Sequence, residues 1–330
     1  MSSPPPPKGR LISHFENHNT SSPPTTHASR WSSLWNTNES HLWDRGIPSP
    51  ALIDLLEEHS ETLLSPYQPR PDKKNENEPD TDHVLLTSPP AAIEGRRRRK
   101  ALVPGCGIGR DVLALSLHGF DAYGLEISET AVSKAPEFAA EELFSASEVK
   151  ECYFGRRHTQ HKDYSGRGTA RFIQGDFFDS AWLGDVDPDP DSDLDFGSGS
   201  GKGREVFDVI YDYTVSQIFS FLFLRMELEA KGSGFLCALH PSQWSRWAKR
   251  MRELLKPGGL LICLEFPMYK DPALPGPPWG VKGVHWEILA AGGSESKDEE
   301  GMFKREVYIS PERTFEFGKG TDMISVYRRK

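Results

Sequence analysis

Beyond Ala101 the chain alternates short apolar runs with stretches whose apolar residues recur at helical spacing. The runs 101–103, 122–125, 172–174, 207–211 and 260–266 have strand length and are bounded by turn residues. Between them, 111–118 reads as a helix closed by Gly119, and 129–144 as a helix interrupted by Pro136. The spacing over 244–256 predicts a third helix, capped by Ser242. Near the end, 304–309 and 323–327 pattern as a strand pair. Ahead of all these, 50–63 predicts a helix with Ser49 as N-cap and Pro50 in the first helical position. Leu52, Leu55, Leu56 and Leu63 form its apolar stripe. Strands alternating with helices imply an α/β fold, with a mostly parallel sheet joined by right-handed crossovers.

The pattern also divides the chain. Residues 1–30 are rich in Pro, Ser, Thr and His without apolar periodicity, and are expected to be a disordered tail. Residues 31–330 are expected to form one domain, with loop insertions near 65–100, 145–169, 185–205, 215–234 and 291–301. The basic run 96–100 reads as a solvated linker beside a strand, with a nuclear address as the alternative.

Composition narrows the classes of function. A hydrophobic content of 37% over 330 residues is enough for a substantial core. A net charge of −9 argues against nucleic acid as a partner. The longest strongly apolar stretch, 218–224, is far short of the roughly 20 residues that a membrane helix needs. The first residues lack the apolar segment of a secretory signal, so the expected location is cytoplasmic. The four cysteines, Cys106, Cys152, Cys237 and Cys263, make no metal-ligand spacing and read as reduced structural thiols.

The candidate chemistry begins at Leu102-Val-Pro-Gly-Cys-Gly-Ile-Gly-Arg-Asp111, on a strand-to-helix turn. Gly105, Gly107 and Gly109 follow G-x-G-x-G, where the dinucleotide fingerprint would want its third glycine at position 110, which is Arg110. Such a turn suits an aminoacyl tail better than a pyrophosphate. Glu126 ends the second strand, where a carboxylate can accept ribose hydroxyls. Asp176 and Phe177 follow the third strand, an acid for an adenine amine and a ring for its face. Lys256-Pro-Gly-Gly259 then makes the turn before the fifth strand. In this order, on these elements, the pieces predict an S-adenosylmethionine site on a Rossmann-like class I methyltransferase fold. That fold has a mostly parallel seven-stranded sheet with an antiparallel C-terminal strand and helices on both faces.

From about 31 to 327 the sequence resembles the thiopurine methyltransferase superfamily, and within it the thiol, halide and thiocyanate methyltransferases. The resemblance rests on Val103-Pro-Gly-Cys-Gly107, Tyr211-Asp-Tyr213, Phe235-Leu-Cys-Ala-Leu-His-Pro241, and Trp31, Trp35, Trp43, Asp44 and Gly46. It implies that Trp31, Trp35 and Trp43 form a lid over the cofactor and that Gly105 touches the methionine part. It also implies that Glu126 holds the ribose, that Asp176 and Phe177 hold the adenine, and that Tyr213 lies near the methionine end and the acceptor. Glu126 departs from the family only in length, the ribose acid often being Asp.

The expected reaction is an in-line displacement by a small soft nucleophile, which needs alignment and a dry pocket more than acid–base groups. Tyr213 and Asp212 are the expected positioning or deprotonating residues, with His240 as a further assistant. Cys237 and Trp279, the latter in Pro277-Pro-Trp279, are expected to line the acceptor pocket. A class I methyltransferase with another acceptor is the alternative. A small-molecule acceptor is the expected partner of a monomer. The stretch 215–234 separates Tyr211-Asp-Tyr-Thr214 from Phe235-Leu-Cys-Ala, which run on directly in relatives. It begins Val-Ser, which GTG AGT would encode, a match to a splice donor. It reads either as an intron retained in frame or as a genuine insert, and the insert would leave a cofactor-binding homologue impaired in catalysis.

Overall fold

The computed structural model describes residues 10–16, 27–42, 44–69, 96–144, 166–187, 205–213, 235–291 and 301–330. Trp43, Cys152 and the stretch 215–234 lie outside them.

A seven-stranded sheet organises the chain. Its strands are β3 (Lys100–Pro104), β4 (Asp121–Glu126), β5 (Ala170–Gln174), β6 (Phe207–Asp212), β7 (Leu255–Glu265), β8 (Phe303–Ile309) and β9 (Met323–Arg329). Their order across the sheet is β5-β4-β3-β6-β7-β9-β8. β3 to β7 run parallel, and β9 pairs antiparallel with both β7 and β8. Every residue of β3 and β6 is buried, which is why these central strands read as continuous apolar runs. Tyr67–Pro69 (β1) and Arg96–Arg98 (β2) form a separate antiparallel ribbon.

The helices follow from the connections. α4 (Arg110–Leu117) joins β3 to β4, and α5 (Glu129–Phe144) leads from β4 towards β5. α6 (Phe235–Ala238) and α7 (Trp244–Leu254) lie between β6 and β7. From β3 the chain steps one way across the sheet, and from β6 it steps the other way. Right-handed crossovers therefore put α4 and α5 on one face and α7 on the opposite face. The reversal between β3 and β6 is the topological switch point, where α/β sheets open a crevice at the carboxyl ends of their strands.

Several local expectations need correction. α3 (Pro50–Glu58) has its Ser49 cap, Oγ accepting from Leu52 N at 3.3 Å, but ends five residues earlier than the pattern suggested, and Leu64 rather than Leu63 is buried. Ser242 does not cap α7. Its N–H is bound by the His240 ring at 3.3 Å in a preceding tight turn, and Gln243 precedes the helix without a side-chain bond. α5 runs unbroken through Pro136.

The tail is not wholly disordered, since α1 (Arg10–Glu16) and α2 (His27–Asn36) are helical. Leu11, Leu34, Trp35 and Leu42 bury one another against Ala131 of α5. The apolar positions of α1 are too few to register as a pattern until this partner surface is present.

The basic run is not a solvated linker either. Arg97 makes a two-pronged contact with Asp208 at 2.8 and 2.6 Å. Arg98 donates to the carbonyls of Gly119 and Gly166, and the buried Arg99 to those of Leu63, Ser65 and Asp208. Lys100 reaches Asp187 O at 2.6 Å. The charges are spent on stitching the ribbon to the sheet. Among the described residues no helix is long and apolar enough to cross a membrane.

Candidate active site

The site is built from the turn after β3 outward. Gly105 N and Cys106 N donate to Leu125 O at 2.7 and 3.2 Å, tying the glycine turn to the end of β4. Gly107 N donates to Oε2 of Glu126 at 3.0 Å, while Oε1 accepts from Ile127 N and Ser128 N at 2.9 and 3.0 Å. Burial raises the pKa of the Glu126 carboxyl, and these three N–H groups oppose the rise. The acid that sequence pattern assigned to a ribose is thus fixed rigidly beside the turn that would hold the aminoacyl tail.

Gly107 has φ +57°, and a Cβ there would meet the Trp35 ring at 3.2 Å. Trp35 of α2 lies directly over the glycine turn. Trp31, one helical turn earlier, instead packs on Phe15 of α1, with ring centroids 5.0 Å apart. Of the lid residues inferred from resemblance, Trp35 meets the turn, Trp31 buttresses the tail helices, and Trp43 is outside the described residues. Asp44, next to Trp43, clamps this N-terminal layer to the domain. Its two oxygens accept from Arg110 Nε and Nη2 at 2.8 and 3.2 Å, a bidentate pair with α4.

A cavity of about 30 Å³ lies where these parts meet the end of β6, walled by Trp35, Cys106, Gly107, Asp111, Tyr213 and Phe315 among others. Tyr213 is fully buried, and its ring stacks on Phe315 with centroids 5.9 Å apart and planes 20° apart. Its hydroxyl has no hydrogen-bond partner among the described residues. Burial raises its pKa far above the ordinary range, so it stays protonated and can only donate or accept neutrally. Asp111 sits below, accepting from Ser49 N at 2.7 Å, its carboxyl pushed up by burial to about 7.

Asp212 and Tyr213 are adjacent at the end of a strand, so their side chains diverge. Tyr213 meets the cavity, while Oδ1 of Asp212 accepts from Leu236 N at 3.3 Å at the start of α6. Burial pushes the Asp212 carboxyl up to about 7. Cys237 is buried in α6, and its carbonyl accepts from Trp279 N at 2.8 Å. The half-buried Trp279 meets the exposed His240 edge to face, with centroids 5.2 Å apart. Cys237, Trp279 and His240 are thus brought together, with His240 occupied by its own turn. Asp176 is exposed and accepts from Phe178 N at 2.8 Å. Phe177 is buried, edge-on to Phe178 and Phe235 with centroids 5.1 and 5.0 Å away.

Sequence reasoning missed Asp111, Ser49 as a partner of Asp111, Arg45 and Phe315. Arg45 alone left a trace, as the variable position inside the motif of Trp43, Asp44 and Gly46.

The chain matches the family described as Thiopurine S-methyltransferase (TPMT) over residues 81–187 and 232–309, more than half of its length. It is 31% identical over 188 residues to a probable thiol methyltransferase 2 of Arabidopsis thaliana, covering 57% of this chain and 54% of that one. It is 32% identical over 182 residues to thiocyanate methyltransferase 1 of Brassica oleracea, covering 55% and 52%. Thiocyanate methyltransferase 1 of Arabidopsis thaliana is 28% identical over 251 residues, covering 76% and 66%. The chain spans about half the length of the first two of these relatives.

Proposed function

Because the chain belongs to the thiopurine S-methyltransferase family, we propose that it is an S-adenosylmethionine-dependent methyltransferase acting on a small soft nucleophile: a thiol, a halide or thiocyanate. The bound cofactor supplies an electrophilic methyl group on a sulfonium and departs as a neutral thioether. Every other contribution comes from this chain. The glycine turn admits the aminoacyl tail along its backbone, and Glu126 and Asp176 take the ribose and the adenine amine. The ring of Trp35, beside the glycine turn, is an aromatic surface suited to a sulfonium cation bound next to it. Tail helices α1 and α2 exclude water from the turn.

With the cofactor held by the glycine turn, Glu126 and Asp176, its methyl group would be open to in-line displacement by the acceptor. An acceptor arriving as an anion needs no proton removed, so alignment carries most of the rate. We assign Tyr213 as a hydrogen-bond donor to the acceptor rather than a base, since its phenol stays protonated. We give Asp212 a positioning role, since its Oδ1 holds the start of α6.

The observation that carries this reading is that Tyr213, whose buried hydroxyl is unpartnered among the described residues, walls one cavity together with the glycine turn and Trp35. The test is transfer from labelled S-adenosylmethionine to iodide, thiocyanate, hydrogen sulfide, an aromatic thiol and a thiopurine. Turnover on one or more is expected. Binding of S-adenosylhomocysteine without transfer to any acceptor would overturn the acceptor class, and absence of binding would overturn the cofactor.

A further inference from the structure

Arg45 lies between α2 and α3, its guanidinium largely buried, and Nε and Nη2 have no hydrogen-bond partner among the described residues. It stands 4.9 Å over the ring of Phe315 and 5.6 Å over that of Phe317. Tyr213, Asp322 and Tyr269 are the charged or titratable groups around it. None of them meets its orphaned donors. Oδ2 of Asp322 is occupied by Thr314 Oγ1 at 2.7 Å, while Oδ1 has no partner, and the Tyr213 hydroxyl is also unmet.

A buried cation with unsatisfied donors is strongly unfavourable unless something completes its coordination. Phe315 is in contact with both Arg45 and Tyr213, and the two residues lie near enough to interact electrostatically. A weakly hydrated guanidinium against aromatic faces suits a large, soft, weakly hydrated anion better than a hard one.

We propose that Arg45 and Tyr213 form an anion seat that binds the acceptor in its anionic form, as thiolate, halide or thiocyanate. The proposal rests on the methyl-transfer reading and names the charge state in which the acceptor is taken. A second anion competes for such a seat, the carboxylate of an aminoacyl tail. The neighbours of Arg45 tell the two apart. They include Tyr269 and Phe317, neither of which walls the cavity at the glycine turn. Tyr213 and Phe315 also wall the cavity beside the glycine turn, but Arg45 does not, and the charged residues there, Asp44, Arg110 and Asp111, are already joined to one another or to Ser49.

The test is calorimetric titration of iodide and thiocyanate into the full chain saturated with S-adenosylhomocysteine. Saturable binding is expected, weakened at least tenfold in Arg45→Gln and retained in part in Arg45→Lys, with S-adenosylhomocysteine affinity unchanged in both. In turnover, KM for iodide and thiocyanate should rise in Arg45→Gln far more than kcat falls. A wild-type chain without saturable anion binding would overturn the seat, and that result stands even if the variant fails to fold. A parallel loss of S-adenosylhomocysteine affinity in folded Arg45→Gln would also overturn it, assigning the guanidinium to the cofactor carboxylate. Failure of the methyl-transfer reading is distinguished by absence of any methylated product from the wild type, which the anion titration does not depend on.

Discussion

Oδ1 of Asp212, at the end of β6, accepts the N–H of Leu236, at the start of α6, across a sequence separation of 24. The chain therefore leaves β6 and returns to α6 at the same point. The family match is interrupted between 187 and 232, an interval that takes in most of the stretch 215–234. A chain lacking 215–234 would have to bridge only a short gap. We expect it to fold with an unchanged thermal midpoint and to bind S-adenosylhomocysteine at least as tightly as the full chain. Differential scanning calorimetry and titration of both forms decide this, and a deleted chain that does not fold would make the stretch part of the domain.

Gly107 carries two constraints at once, a left-handed backbone and a Trp35 ring 3.2 Å from where a Cβ would stand. Gly258 carries only the first, with φ +74° and open space around it. An L side chain in this region costs about 1–2 kcal/mol at either position. Gly258→Ala should show that cost alone in denaturant melts. Gly107→Ala should add a loss of S-adenosylhomocysteine affinity of tenfold or more, because Trp35 must move off the turn. Equal affinities for the two variants would remove Trp35 from the cofactor's surroundings.

What could be read in the sequence, and what could not, follows from the range of the interactions. The Ser49 cap, the glycine turn and most strand runs depend on neighbours within a few positions and stand where the pattern put them, but β7 begins at Leu255 and takes in 256–259, which the pattern had made a turn. The fold class followed from their alternation. The basic run 96–100 was misread because a solvated charge run and a stitched one look alike until Asp208 arrives from β6. Phe315 was invisible for the same reason, since it joins the site only through its stacking on Tyr213 and its contact with Arg45. Asp212 and Tyr213 were proposed together, and strand alternation separates them, one toward α6 and one toward the cavity.

Asp208 is the hub of the stitched run. It accepts from both Nη atoms of Arg97 and from Lys100 N at 2.8 Å, and Lys256 Nζ lies 3.6 Å away. Burial would raise its pKa, but the Arg97 hydrogen bonds and the lysine charge leave it lowered. Asp208→Ala strands a mostly buried guanidinium and should cost about 3–5 kcal/mol, read as a drop in the urea midpoint. The double variant Arg97→Met/Asp208→Leu should recover part of that loss, because it removes the guanidinium charge that Asp208 balances. A loss below about 1 kcal/mol for Asp208→Ala would return the run to the status of an exposed linker.

The buried carboxyl of Asp212 gives the last expectation, in stability against pH. Burial raises it from 3.8 to about 7, and the groups around it, Cys263 and Tyr211, are uncharged in this range. Between those two values the folded chain holds a proton that the unfolded chain has released. The unfolded state then binds fewer protons, so stability falls as pH rises through the window and levels off above about 7. One such group contributes a slope of at most ~1.4 kcal/mol per pH unit at 25 °C. Asp212→Asn keeps an oxygen for the Leu236 N–H and has no charge to desolvate, so its thermal midpoint should fall less steeply over the same window and exceed that of the wild type at pH 8. Asp111, also raised to about 7, leaves a residual slope in the variant. Identical profiles for the two proteins would mean that Asp212 is ionised in the fold throughout, and that a charged carboxylate holds α6 in place.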